Sequence, residues 1–342
     1  MRNTKKAAFA LILIIIVLAI TFKYFQLVSP VVGSGVENGE YVSINIETGS
    51  SGREIARKLY KNDLIRSEYL FYLLLRLEED SLKAGTYHLN QAYDMHDILD
   101  ILLRGRVATF RVTIPEGYTV QEISTRLAEL TPHSKEDFLE IAKRNLGREY
   151  LQEGHLKRKY LLEGFLYPST YIFPFDFSPE QIFEHMVYQY ENRWLLRLES
   201  NYLAENPDNR VGTYTPYEII TIASLIEKEA KIDQEKSLIA AVIYNRLEQD
   251  MLLQIDASVQ YALGDRRTRL LYRDLEFESH YNTYRYPGLP PGPIANPGSS
   301  SIEAALNPVD EDYLFYFARS DGSHVFTNSY SEHLRLQNEM RD

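Results

Sequence analysis

Cysteine is absent from all 342 residues of the chain. The chain therefore has no disulfides, no thiolate metal ligands and no cysteine nucleophile. Metal-binding patterns are missing too, because the eight histidines have no metal-ligand spacing and no HExxH motif occurs. We therefore predict no metal site and no cofactor. Basic residues are outnumbered, 37 against 48 acidic ones, and the resulting net charge of −11 argues against a nucleic-acid partner.

The longest apolar run lies at the N-terminus. Residues 7–28, AAFALILIIIVLAITFKYFQLV, supply the about 20 apolar residues that a helix needs to cross a bilayer. Residues 1–6 carry Arg2, Lys5 and Lys6, which predicts a cytoplasmic tail and places the rest of the chain outside the cytoplasmic membrane. A signal peptide would have a shorter apolar run, closely followed by a small-x-small cleavage site. We therefore predict an uncleaved single-pass anchor.

After the anchor, the sequence pattern predicts an α+β fold. Residues 29–40 are polar and rich in Pro, Gly and Ser, as in a flexible linker. Residues 41–110 predict a small β-α-α-β unit followed by a helix that ends at Gly105. From residue 111 to 342, helices alternate with long loops rich in Pro, Gly and Tyr. Within this part, the alternating polar residues Gln254, Asp256, Ser258 and Gln260 predict a strand. The longest loop, 281–301, carries tyrosines and asparagines, which favours a wall for binding polar rings over a solvated linker.

One local pattern occurs twice, 68 residues apart. Residues 44–59, INIETGSSGREIARKL, match residues 112–127, VTIPEGYTVQEISTRL, in their apolar, glycine and glutamate positions. Each copy predicts a strand, a glycine turn and a helix whose first turn is capped by a Ser or Thr side chain. This arrangement is common and could arise by convergence. Because two copies are too few for a repeat array, we interpret the match as two small related units.

The segment TPYEIITIASLIEKEAKID begins with a strong helix signal. Thr215 predicts the N-cap, Pro216 suits the first position and Glu218 completes a capping box. The apolar residues that follow cover most of the circumference, so we expect a buried helix. Glu227 and Glu229 lie about 200° apart around its axis, which excludes a close carboxyl pair. Each flanks the apolar stripe, so periodicity alone does not choose between them.

Several motifs in a fixed order resemble one family. They are LEGFLYPSTYIFP at 162–174, the LQIDASVQYALG run that ends at 264, the loop 281–298 and SDGSHVFTNSYSEH at 320–333. Together with the N-terminal anchor, this set resembles the endolytic murein transglycosylases, the MltG/YceG-like proteins, over essentially the whole chain. The resemblance implies a LysM-like module at 41–110 and a catalytic transglycosylase domain at 111–342.

The resemblance also implies an activity. Members of this family cut peptidoglycan glycan strands between N-acetylmuramic acid and N-acetylglucosamine and leave a 1,6-anhydro end, which would terminate nascent strands. The glutamate that matches their catalytic acid is Glu227, and Glu229 is left with a supporting role. A single acid is enough for this reaction, and we expect burial against an apolar wall to keep it protonated. The family further suggests coupling to peptidoglycan synthases.

The same resemblance predicts five substrate-binding residues. They are Glu163, Gln254, Asp256, Asn282 and Tyr284. The chain departs from the usual family residues at five positions, which are Ser169, Ile255, Ala257, Ser258 and Leu334.

Two other functions stay open. One is a catalytically idle scaffold that binds peptidoglycan, which the departures at Ser169 and Leu334 favour. The other is a hydrolase with two carboxylates, a muramidase that uses Glu227 with Asp256 as the second carboxylate. The mass of the product end distinguishes the lytic reaction from hydrolysis.

Overall fold

The computed structural model describes residues 2–31, 40–78, 82–152, 157–203, 210–264, 267 and 270–340. The helices are α1 Arg2–Val28, α2 Gly52–Lys61, α3 Glu68–Leu75, α4 Met95–Arg104, α5 Val120–Ala128, α6 Lys135–Ala142, α7 Pro179–Tyr190, α8 Leu196–Leu203, α9 Pro216–Glu229, α10 Lys236–Glu248, α11 Asp256–Leu263, α12 Tyr272–Leu275, α13 Ser299–Leu306 and α14 Tyr330–Glu339. The strands are β1 Tyr41–Ile46, β2 Gly85–Asn90, β3 Thr109–Thr113, β4 Thr170–Pro174, β5 Phe315–Ala318 and β6 His324–Thr327. They form the two-stranded sheets β1–β2, β3–β4 and β5–β6. The prediction of a mixed α and β chain is confirmed.

Helix α1 is the one helix among the described residues that is long and apolar enough to cross a membrane, by length and composition. Its apolar stretch Leu11–Val28 corresponds to a rise of about 27 Å, close to the thickness of a hydrocarbon core. The helix begins at Arg2, so residues 2–6 of the predicted tail are helical. Most of the predicted linker, residues 32–39, lies outside the described part of the chain.

Two compact units make up the chain. The small unit comprises Met1–Phe110 with Ile172–Asp176, and the large unit comprises Arg111–Tyr171 with Phe177–Asp342. In the small unit, β1 and β2 pair antiparallel in the order β1-α2-α3-β2, and buried apolar side chains from these elements and α4 form its core. The likeness of this unit to LysM stays a prediction, as do the domain boundaries.

The two copies of the repeated pattern fold in the same way. The side chain of Ser51 accepts from the Glu54 backbone N–H and starts α2, while Thr119 and Glu122 make the same capping box at the start of α5. The turn glycines that precede these helices, Gly49 and Gly117, have φ of +86° and +74°, a left-handed conformation that a side chain disfavours. The predicted strand, turn and capped helix are confirmed in both copies.

Helix α9 runs through the core of the large unit. All residues from Ile219 to Ile226 are buried, and α9 packs against α10 and α13. The Ser224 hydroxyl accepts the backbone N–H of Ile294 at 3.0 Å, which fixes the irregular segment 281–298 against the helix. Because α9 ends at Glu229, its last turn is where the buried core gives way to charged side chains.

One local prediction is wrong. The polar residues that alternate from Gln254 to Gln260 suggested a strand, whereas the structure has helix α11 from Asp256 to Leu263. Gln254 has φ of +51°, which breaks an extended chain, and Gly264 ends the helix in a left-handed conformation. Four alternating positions are too few to exclude a helix.

Candidate active site

The two glutamates at the end of α9 have different surroundings. Glu229 lines a cavity of about 370 Å³ in the large unit, whereas Glu227 is not among the residues that line it. The cavity is lined by Thr119, Gln121, Glu122, Thr125, Lys135, Lys159, Lys228, Glu229, Asp256, Ala257, Gln260, Tyr261, Gly264 and Ile294. This size and the mixture of tyrosine, amide and charged groups suit a polar ligand such as a sugar.

Glu229 combines burial with access to the cavity. Burial raises the pKa of its carboxyl, and the nearby Asp256 carboxylate raises it further. Three groups oppose this shift: the Tyr316 hydroxyl, which donates to Oε2 at 3.0 Å, the imidazole of His324 and the backbone N–H of Ala257. The net effect is a raised pKa, which a carboxyl needs in order to donate a proton near neutral pH.

Asp256 supplies a second carboxylate to the same cavity. It is the first residue of α11 and is exposed, and its Oδ1 accepts the hydroxyl of Tyr284 at 2.6 Å. Asp256 lines the cavity, and this hydrogen bond holds Tyr284, which is not among the lining residues, beside it. The predicted cleft positions of Asp256 and Tyr284 are therefore brought together, although substrate binding by either stays a prediction.

Glu227 caps a neighbouring helix. Its Oε2 accepts the backbone N–H of Gly298 at 3.1 Å and the hydroxyl of Ser301 at 2.5 Å, at the N-terminus of α13. The ammonium of Lys236 lies 3.6 Å from the same oxygen, and the side chains of Lys236 and Glu227 are only 6% and 11% exposed. Donors and a cation therefore surround Oε2, where an apolar wall was expected.

A third glutamate shares this helix end. Glu116 accepts the backbone N–H of Ser299, and burial raises the pKa of its carboxyl. Glu227 raises that pKa further, while Lys236 lowers it. Gly298 leaves the space for this arrangement, since a side chain there would meet the Glu116 carboxyl at about 2 Å. We call Glu116, Glu227 and Lys236 the capping cluster of α13.

Glu163 lies behind the cavity wall. It is 1% exposed and does not line the cavity. Its oxygens accept the N–H of Val120 at 2.9 Å, the hydroxyl of Tyr261 at 3.0 Å and the side-chain amide of Asn296 at 3.2 Å. Burial raises the pKa of Glu163 to about 8. The prediction that Glu163 contacts substrate does not fit this burial, and its contacts assign it to the support of Tyr261 and α5.

Asn282 is also structural. It is fully buried, its side-chain amide donates to the carbonyls of Leu275 and Phe277 at 2.8 Å, and its Oδ1 accepts the N–H of Tyr284. Direct binding of substrate by Asn282 does not fit this position. Gln254 is exposed in the turn before α11 and is not among the lining residues of the cavity, so its predicted role stays a prediction.

Comparisons with known proteins identify the family of this chain. The model of the YceG-like family matches residues 44–339. The chain belongs to the YceG-like family. A curated relative from Bacillus subtilis (strain 168), named endolytic murein transglycosylase, is 40% identical over 307 residues, which are 85% of this chain and 82% of the relative. One of the same name from Streptococcus pneumoniae serotype 2 is 29% identical over 92% of this chain and 61% of its own length.

A solved structure is also similar. The 2.6 Å crystal structure of a YceG-like protein from Listeria monocytogenes has a TM-score of 0.58 and 34% sequence identity, and the match covers 87% of this chain and all of that one. The family membership predicted from the ordered motifs is therefore confirmed.

Sequence reasoning missed much of the site. Tyr316, Glu116 and Lys236 carry no local motif, and they reach the end of α9 only through tertiary packing. One signal was available for Glu116, because it precedes the turn glycine of the second repeated copy. No group of three or more His, Cys, Asp or Glu side chains in the described ranges could hold a metal ion.

Proposed function

We propose that this protein is an endolytic transglycosylase of peptidoglycan and that Glu229 is its general acid. The reaction would cut the bond between N-acetylmuramic acid and N-acetylglucosamine and leave a 1,6-anhydro end. The relatives named endolytic murein transglycosylase support the activity. One observation carries the residue assignment: Glu229 lines the cavity and has a raised pKa.

In this reaction one carboxyl group acts first as a general acid and then as a general base. Glu229 gives its proton to the glycosidic oxygen as the bond from that oxygen to C1 breaks. The 6-hydroxyl of the muramyl ring then closes on C1, and its proton returns to the Glu229 carboxylate. No water is consumed. Tyr316 and the Ala257 N–H stabilise the carboxylate between the two transfers, and the negative charge of Asp256 favours the positive charge that develops at C1.

Glu227, which the family resemblance predicts as the acid, is the competing assignment. Its Oε2 already accepts hydrogen bonds from Gly298 and Ser301 and faces Lys236, and Glu227 is not among the residues that line the cavity. We therefore assign Glu227 to positioning. Since it lies two residues before Glu229 on the same helix, fixing Glu227 to α13 also fixes the turn that presents Glu229 to the cavity.

A pair of isosteric variants tests this assignment. Glu229→Gln and Glu227→Gln proteins, each shown to be folded, are incubated with purified glycan strands, and the products are read by mass spectrometry. We expect Glu229→Gln to lose about 10²–10⁴ in rate, the usual contribution of a general acid. Glu227→Gln should keep anhydro-ended products within about tenfold of the wild-type rate, because glutamine still accepts hydrogen bonds. The reverse order of losses would reassign the acid to Glu227.

A hydrolase with two carboxylates is the second candidate. Its specific support is that Glu229 and Asp256 line the same cavity. Hydrolysis would add a water of about 18 daltons to the product end that the lytic reaction leaves as an anhydro ring. Anhydro ends therefore exclude the hydrolase, and bound but uncut strands would instead indicate the idle scaffold.

We also propose that α1 anchors the protein in the cytoplasmic membrane with its N-terminus inside. Arg2, Lys5 and Lys6 precede the apolar stretch, and the positive-inside rule then places the large unit on the outer side. Protease added to sealed spheroplasts should digest the large unit. Protection of that unit would reverse the orientation. Coupling to peptidoglycan synthases stays a prediction of the family resemblance.

A further inference from the structure

Three lysines line the cavity that contains Glu229. The lining includes the ammonium groups of Lys135, Lys159 and Lys228 together with the carboxyl groups of Glu122, Glu229 and Asp256. The Glu122 carboxylate is already engaged, because it accepts the Thr119 N–H at 2.8 Å and the Thr119 hydroxyl at 2.9 Å. Three ammonium groups in one cavity stand out in a chain whose net charge is −11.

Lys228 is held in place beside the proposed acid. It directly precedes Glu229 on α9, and its Nζ donates to the carbonyl oxygen of Gly117 at 3.1 Å. An ammonium has three N–H donors, so this contact orients the group and leaves two donors for a ligand. The side chain is partly buried, which reduces the solvent screening of its charge.

Lys159 is oriented by aromatic rings. Its Nζ lies 5.7 Å from the centroid of the Tyr261 ring and 5.9 Å from that of Tyr160. The Tyr261 ring is itself fixed, since its hydroxyl donates to the buried Glu163. Neither Lys159 nor Lys228 forms an ion pair with a carboxylate in the part of the chain that the structure describes. Two oriented ammonium groups that line the same cavity are suited to binding an anionic group.

We propose that Lys159 and Lys228 form a subsite for an anionic group carried by the glycan strand. This inference rests on the proposed function, since it takes the strand to be the occupant of the cavity. Two parts of a peptidoglycan strand offer the required charge: the carboxylates of the peptide attached to each muramyl residue, and a phosphate at the end of a growing strand. The subsite selects strands that carry this charge close to the bond that is cut.

Binding is measured separately from cleavage. The Glu229→Gln full-length protein in detergent is titrated calorimetrically with four glycan preparations of equal length. These preparations carry intact peptides, peptides with amidated carboxylates, no peptides, or no peptides and a terminal phosphate. Comparison of the first preparation with the second tests whether the peptide carboxylates are the bound anion. Comparison of the third with the fourth tests whether the terminal phosphate is. The Lys159→Gln and Lys228→Gln changes are added singly and together, with Lys143→Gln as the control, because Lys143 pairs with Glu140 on the surface outside the cavity.

We expect removal of the relevant anionic group to weaken binding to the parent protein by about fivefold to tenfold. Each single lysine change should weaken binding of the charged strand by up to about fivefold. The double variant should bind charged and neutral strands equally, while Lys143→Gln should behave like the parent. Equal binding of all four preparations by the parent would overturn the subsite. The same holds if the lysine changes weaken charged and neutral strands by the same factor. Because these are binding constants, a failure here leaves the assignment of the acid standing.

Discussion

The hydroxyl of Tyr316 donates a hydrogen bond of 3.0 Å to Oε2 of Glu229, although 87 residues separate the two in the chain. A hydrogen bond to the charged form of a carboxyl lowers its pKa, so Tyr316 opposes the increase that burial causes. Burial prevails, and the pKa of Glu229 is raised. The balance between these two effects sets the pH range in which Glu229 can act as an acid.

Replacement of Tyr316 by phenylalanine should move the alkaline limit of activity upward. A general acid must be protonated, so the rate falls as the pH rises through its pKa. Removal of the hydroxyl raises the pKa of Glu229, and we expect the alkaline limb to shift to higher pH by about half a unit to one unit. The test is kcat/KM against pH on isolated strands. A limb that does not move, in a folded variant, would contradict the assignment of Glu229.

Replacement of Asp256 by asparagine should move the same limb in the opposite direction. The Asp256 carboxylate raises the pKa of Glu229 by charge repulsion, so its loss favours ionisation of Glu229 at lower pH. We expect a limb displaced downward by a similar amount and a lower rate at its plateau. The side-chain oxygen of the asparagine can still accept the hydrogen bond from the Tyr284 hydroxyl, which limits structural change. An unchanged limb would show that the two carboxyls do not interact.

Glu163 should make stability depend on pH. Its pKa is about 8 in the folded chain against an ordinary value of 4.5, so the folded state binds a proton more tightly than the unfolded state. This contribution to stability is fully present below pH 4.5 and is lost as the pH rises to about 8. Glu163→Gln imitates the protonated form, and we expect a Tm that depends less on pH from 5 to 9. Parallel Tm curves for the two proteins would refute this account.

The capping cluster should contribute to stability more than to chemistry. Glu227→Ala leaves the Gly298 N–H, the Ser301 hydroxyl and Lys236 without their shared acceptor, which we expect to cost about 1–3 kcal/mol of unfolding free energy. Glu227→Gln keeps an acceptor and should recover much of that loss. Denaturant unfolding of both variants measures the difference. Equal stability of wild type and alanine variant would remove the structural role.

Local features of the fold were predictable because their causes are local. The start of α9 is predictable from Thr215, Pro216 and Glu218, because the capping hydrogen bonds form within one turn. The structure has that capping box. The same holds for the two repeated copies. Helix α11 was missed because a short alternating pattern fits a strand equally well, and the left-handed conformation of Gln254 that decides against a strand has no sequence signature.

The site was less predictable because a carboxyl takes its role from its tertiary partners. Glu227 and Glu229 are equivalent in helical periodicity. What separates them is that Gly298 and Ser301 reach the first, while Tyr316 and the cavity reach the second. Motif resemblance pointed to the end of α9 and to Asp256 and Tyr284, whose catalytic and binding roles stay predictions. Motifs alone gave no means of recognising that the side chains of Glu163 and Asn282 are buried.

The capping cluster also has a consequence for the order in which activity is acquired. Glu116, Glu227 and the start of α13 come from three separate segments, so the last turn of α9 is fixed only after all three have joined. A chain that is still folding therefore has no assembled acid. Newly made protein should remain harmless to the cell wall until its large unit is complete, and cleavage should appear in step with the native tertiary structure rather than before it.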